Sequence, residues 1–168
     1  MQALVTGAAG CVGSALAELL KARGHEVRAL VREGSDTAFL KTLDVELTRG
    51  DLGDRPSLDA AVRGVDAVFH CAALVGDWVS LDEMRRVNVE GLGRLLEASA
   101  AAGVRRFIYM SSMVVLGADR QDNLDETAPY VFTGDNYNTT KIEAEKLLME
   151  FAAAHKLTPL QRSSTPDD

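Results

Sequence analysis

Thr6-Gly7-Ala8-Ala9-Gly10-Cys11-Val12-Gly13 is the stretch whose reading decides the fold. Residues 2–6 before it are a short apolar run. After it, Val12, Leu16, Leu19 and Leu20 recur at helical spacing through residues 12–23, and Gly24 offers a left-handed cap. The order is strand, glycine turn, helix. Glycines let such a turn bend sharply and bring its backbone against a phosphate, while the free amides and dipole of the helix N-terminus attract an anion. In that context the turn reads as a seat for a dinucleotide pyrophosphate. The spacing is G-x-x-G-x-x-G rather than G-x-G-x-x-G, and the lysine of a nucleoside-triphosphate loop is absent.

Outward from the turn the same cycle repeats. Residues 26–31 read as a strand, 38–43 as a short helix and 45–49 as a strand; Asp54 and Pro56 open a helix through Val62, and 67–70 is the next strand. Residues 81–102 form a long amphipathic helix with Met84, Val87, Leu92, Leu95 and Leu96 on its apolar side. Residues 106–110 are a fifth strand, 138–155 a helix, and 158–162 a sixth strand candidate. Strands alternating with helices imply right-handed crossovers and a parallel, doubly wound α/β sheet in three αβα layers, a Rossmann fold of order 3-2-1-4-5-6. With 168 residues and no repeat, low-complexity tract or linker, a single domain over 1–168 is expected.

Composition narrows the function classes. Hydrophobic residues make up 46% and charged residues 26%, which excludes a disordered tail and a membrane span. The net charge of −7 argues against a nucleic-acid or anionic-membrane surface, since either would need a basic face. Cys11 and Cys71 are too few for a disulfide framework, and no metal cluster is indicated. With no export signal before the first strand, a cytoplasmic location with reduced thiols is expected.

Two further places carry chemistry. The second strand ends Leu30-Val31-Arg32-Glu33. An acid near that strand end binds the ribose 2′-hydroxyl of NAD, whereas an arginine suits a 2′-phosphate. Arg32 therefore favours NADP(H), with NAD as the alternative. Tyr137 and Lys141 stand at i and i+4 on one helix face, where an ammonium near a phenol favours the phenolate and suits it to general acid/base work. Ser111 and Ser112 follow the fifth strand, at the carboxyl edge where such folds bind ligands.

These residues together resemble the extended short-chain dehydrogenase/reductase superfamily, the NAD-dependent epimerases, dehydratases and reductases. The matching pieces are T-G-A-A-G-C-V-G at 6–13, G-D-L at 50–52, H-C-A-A at 70–73, V-N-V-E-G at 87–91, M-S-S-M-V-V-L-G at 110–117 and Y-N-T-T-K at 137–141, in order along essentially the whole chain. Ala29–Arg32 and Ser163–Pro166 are most similar to the dihydroflavonol-reductase-like and hopanoid-associated sugar-epimerase members.

The resemblance implies that Tyr137 donates or accepts the proton and that Lys141 holds the nicotinamide ribose. By the same resemblance Ser112 orients the substrate oxygen, and Asn88 supports a proton relay. Gly7, Gly10, Cys11, Val12 and Gly13 would line the pyrophosphate, Asp51 and Leu52 would contact adenine, and Ala72 and Ala73 would lie on the ribose side. His70 would be structural, and Cys11 a small apolar filler. Hydride transfer to or from a carbonyl or secondary alcohol is the implied reaction. A sugar-nucleotide epimerase or dehydratase, or a non-catalytic cofactor-binding sensor, is the alternative. The resemblance also implies a homodimer through the helices carrying Asn88 and Tyr137, with Leu92, Leu95, Leu147 and Leu148 as outward candidates. Family members continue into a substrate lobe beyond the point where this chain ends, so cofactor binding with little turnover is expected of it.

Overall fold

The computed structural model describes residues 1–117 and 127–155. Its elements are β1 (Gln2–Thr6), α1 (Cys11–Ala22), β2 (Glu26–Val31), α2 (Ala38–Thr42), β3 (Glu46–Arg49), α3 (Arg55–Ala61), β4 (Ala67–His70), α4 (Leu81–Met84), α5 (Gly91–Ala101), β5 (Arg106–Tyr109) and α6 (Asn136–His155). The strands run in the order β3-β2-β1-β4-β5, every pair parallel. This is the Rossmann order expected. The sixth strand candidate, 158–162, lies outside the described residues.

Parallel neighbours require crossovers, and helices supply them on both faces. Side chains alternate across a strand, so β1 sends Leu4 to one face and Ala3 and Val5 to the other. Leu4 joins Leu58 and Ala61 of α3, Leu95 and Ala98 of α5, and Val68. Ala3 and Val5 join Ala17 and Leu20 of α1 and Leu40 of α2. The sheet is thus the middle of three layers. Helix α6 packs outside α5, where Ala144 meets the fully buried Leu92 and Leu96.

Two element boundaries differ from expectation for stated reasons. Helix α6 begins at Asn136 because the Asp135 carboxylate accepts from the Tyr137 amide at 2.6 Å and the Asn138 amide at 3.3 Å. The long helix over 81–102 starts with a capping box between Ser80 and Glu83, then widens to a π turn over Arg85–Glu90 before α5. Two of the outward candidates, Leu92 and Leu95, are also corrected. Leu92 and Leu95 are fully buried within this chain, Leu148 packs against the α5–α6 seam, and Leu147 lies over Gly93. Leu92 and Leu95 are consumed by the interior, while Leu147 and Leu148 keep part of their surface exposed. Among the described residues no helix is long and apolar enough to cross a membrane.

Candidate active site

The glycine turn is built by backbone crowding. Gly7 has φ +66°, a left-handed conformation, and a Cβ there would lie 2.7 Å from the Ala72 nitrogen. A Cβ at Gly13 would stand 2.2 Å from the Gly7 carbonyl oxygen. The first turn of α1 therefore presses on the loop after β1, and that loop presses on the end of β4. Gly10 caps α1 without a side-chain hydrogen bond, which leaves the helix amides available to an anion. A pyrophosphate fits this cradle.

Cys11 is exposed, not a packed filler. The buried residues of α1 are Gly13, Ala17 and Leu20, and position 11 lies on the other side of the helix. Val12 is exposed as well.

Thr6 and His70 join the cradle to β4. The Thr6 hydroxyl lies 2.7 Å from His70 Nδ1 and accepts from the Ala72 amide at 3.3 Å. His70 is buried and stacked on Tyr109. Burial, with a smaller contribution from Lys141, pushes its pKa down to about 3. A neutral imidazole bonded inside the sheet is a structural group, as expected.

At the ends of β2 and β3 an open cleft of about 630 Å³ is lined by Arg32, Ser35, Arg49 and Asp51, with Glu33 and Asp54 among its acids. Val31 pairs in register with Arg49, which brings Arg32 and Arg49 to the same edge. Arg49 was not anticipated, because only strand pairing sets it beside Arg32. Asp51 holds the turn after β3 by accepting from the Gly53 amide at 2.8 Å. Leu52, expected at adenine, is 8% exposed and packs in the core beneath Gly91. Ala73 is exposed on the loop after β4.

The residues expected to handle the proton gather where β5 ends. Ser112 caps a 3-10 turn over Met113–Leu116, its hydroxyl accepting from the Val114 amide at 3.4 Å. Tyr137 lies in the first turn of α6, half-buried. Its pKa is raised above the usual phenol value, chiefly by burial, with Asp135 adding to the rise, while a hydrogen bond from Ser112 pulls it back.

The expected depression by Lys141 is not among these influences. Lys141 is 2% exposed; its Nζ donates to the Met110 carbonyl at 2.7 Å and sits 4.1 Å above the Tyr109 ring. Burial lowers its pKa to about 8 against the opposing pull of Glu145 and Cys71. Tyr109, half-buried beside Tyr137 and Glu145, is pushed well above the ordinary range, mainly by desolvation.

Asn88 occupies the π turn, buried. Its Oδ1 accepts from the Leu74 amide at 2.7 Å, and its Nδ2 donates to the Leu74 carbonyl at 3.0 Å and the Thr140 hydroxyl at 3.2 Å. The Thr140 hydroxyl in turn donates to the Tyr137 carbonyl at 3.0 Å. These contacts brace the loop after β4 against α6, and the whole amide is committed to them.

Sequence reasoning missed Asp135, Glu145, Thr140 and Asn138. Asp135 was legible as a cap and Glu145 as the i+4 neighbour of Lys141. The partners of Thr140 and Asn138 lie on other elements. Among the described residues no group of three or more His, Cys, Asp or Glu could hold a metal ion.

The family model for the NAD dependent epimerase/dehydratase family matches residues 3–160. The chain is 40% identical over 151 residues to a sterol demethylase protein B of Methylococcus capsulatus, covering 86% of this chain and 45% of that protein. It is 41% identical over 155 residues to a 3 beta-hydroxysteroid dehydrogenase/Delta 5-->4-isomerase of Mycobacterium tuberculosis, covering 87% and 41%. Among solved structures, a short-chain dehydrogenase/reductase superfamily protein from Agrobacterium tumefaciens with bound NAD superposes with a TM-score of 0.80 at 36% identity, over 95% of this chain and 47% of that one. The chain spans less than half the length of these relatives.

Proposed function

The chain belongs to the NAD dependent epimerase/dehydratase family, and on that premise we propose that it binds a nicotinamide dinucleotide and serves an oxidoreductase reaction at a carbonyl or secondary alcohol, with Tyr137 handling the proton. The observation that carries this reading is the placing of Ser112, in the turn after β5, and Tyr137, in the first turn of α6, at the carboxyl edge of the parallel sheet, where the Asn138 amide ties the two segments through the Val114 carbonyl. The amides at the start of α1, with Gly7, Gly10 and Gly13, would hold the pyrophosphate. Arg32 and Asp51 would face the adenosine end, Ala72 and Ala73 the ribose side, and Lys141 the nicotinamide ribose. The bound nicotinamide supplies the carbon that gives or takes the hydride.

The chain's own residues manage the proton. Burial keeps the Tyr137 phenol protonated at neutral pH, so it is set to donate to the oxygen of a ketone as that oxygen gains charge. Ser112 stands beside it to donate a hydrogen bond to the same oxygen. Arg32 favours NADP(H): with Arg49 it faces the cleft after β2, and among the described residues neither guanidinium forms an ion pair. The sterol and steroid names of the two relatives, together with exposed Val75, Trp78 and Met113 on the loops after β4 and β5, support an apolar ketone or alcohol as the substrate class.

The test is calorimetric titration of cofactors with this chain, followed by ketone reduction in a form extended to the length of these relatives, with and without Tyr137→Phe. Cofactor binding should survive the substitution, while kcat falls by about 10²–10⁴-fold. A folded chain that binds neither NAD(H) nor NADP(H) would overturn the proposal, as would unchanged turnover in Tyr137→Phe.

A further inference from the structure

Asn138 follows Tyr137 directly in α6 and is completely buried. Both donors and the oxygen of its side-chain amide are directed at main chain outside its own helix. Nδ2 donates to the Val114 carbonyl at 2.7 Å and to the Val131 carbonyl at 3.0 Å, and Oδ1 accepts from the Thr133 amide at 3.1 Å. Val114 is the residue whose amide donates to the Ser112 hydroxyl. The Val131 amide closes the same unit by donating to the Val115 carbonyl at 2.9 Å. The turn that presents Ser112 is thereby fastened to the residue next to Tyr137, through a group with two donors and an acceptor in one plane. Aspartate of the same shape lacks both donors, and leucine would remove all three bonds, leaving the Val114 carbonyl only its bond from the Gly117 amide at 3.2 Å.

We propose that Asn138 is a positioning residue that sets the separation of the Ser112 hydroxyl from the Tyr137 phenol. The claim rests on the reading of Ser112 and Tyr137 as the proton-handling pair. Asn138 itself touches neither hydroxyl; it fixes the main chain on which each is carried. No substrate is needed to see its action, because the Ser112 hydrogen bond is one of the influences on Tyr137 titration in the chain as it stands.

The experiment is tyrosine titration by NMR of the 168-residue chain labelled at the tyrosine ring carbon next to the hydroxyl. There are three tyrosines, and the Tyr137 signal is identified by its loss in Tyr137→Phe. Asp135 and Tyr109, the other ionisable groups that interact with Tyr137, are unchanged in all variants. Asn138→Ala should raise the Tyr137 pKa by about one unit, the size of one lost hydrogen bond, as Ser112→Ala should. The double variant should raise it no further, since both remove the same contact. Asn138→Ser is carried in parallel so that a folded variant is in hand, as judged by its thermal melt. If Ser112→Ala moves the titration and a folded Asn138 variant leaves it at the original value, the positioning role is overturned while the pair stands. If Ser112→Ala moves nothing, the pair itself fails, and the proposal with it.

Discussion

Lys141 donates from its buried ammonium to the main-chain carbonyl of Met110 at 2.7 Å, tying the middle of α6 to the residue that follows β5. Met110 in turn donates its amide to the His70 carbonyl at 3.0 Å, so one charge is anchored to the edge of two adjacent strands. An ammonium held in this way is oriented before any ligand arrives. Its burial is a standing cost to the fold.

That cost has a sign that can be measured. The Lys141 pKa of about 8 lies below its ordinary 10.5, so between those values the unfolded chain binds more protons than the folded one, and stability rises with pH through that window. Lys141→Met should keep or raise the melting temperature at pH 7 while removing the rise between pH 8 and 10.5. Urea unfolding at pH 7.5 and pH 10 reads both. A loss at pH 7 of more than about 2 kcal/mol would contradict the expectation, as it would mean that the Met110 bond outweighs the burial of charge.

His70 acts at the other end of the pH scale. Its pKa of about 3 in the fold lies below the ordinary 6.5, so as pH falls below 6.5 the unfolded chain takes up a proton that the folded chain refuses. Stability should decline toward pH 3 with a contribution approaching about 1.4 kcal/mol per pH unit from this residue. In His70→Gln that share of the slope should vanish. Denaturant midpoints at pH 7, 5.5 and 4.5 for the two proteins provide the comparison.

Gly13→Ala should abolish cofactor binding and lower the melting temperature. The new Cβ would meet the Gly7 carbonyl oxygen at 2.2 Å, and since that oxygen is main chain and the Cβ is fixed to its own main chain, α1 must move away from the loop that forms the cradle. Gly10→Ala meets the same oxygen at 3.3 Å and should be much milder. Calorimetry with NADPH should give at least about 100-fold weaker binding for the first, the range of a misplaced binding group. Equal affinities for the two variants would refute the account.

Arg32→Ala should weaken NADPH binding by about tenfold or more and leave NADH binding unchanged, because a charge-assisted bond to the 2′-phosphate is lost and nothing else. Equal affinities of the unaltered chain for NADPH and NADH would remove the basis for the preference.

The amino-acid sequence by itself determined the parallel α/β fold, the glycine cradle, the edge position of Arg32 and the placing of Tyr137 and Lys141 on one helix face. Each of these is written in neighbours a few positions apart, through apolar period, glycine spacing or the i, i+4 relation, and local geometry is enough to read it. Tertiary structure alone decided the rest. Leu92 and Leu95 have the same hydrophobic stripe whether a helix faces a partner or its own sheet, and only packing assigned them to the interior. Leu52 reads like any strand-end residue until Gly91 is seen against it. Lys141 reaches Met110 across 31 positions of chain and Asn88 reaches Thr140 across 52. The Tyr137 phenol is raised rather than lowered because burial, a property of the whole packed surface, is the largest influence on it and the i, i+4 lysine adds no counterweight.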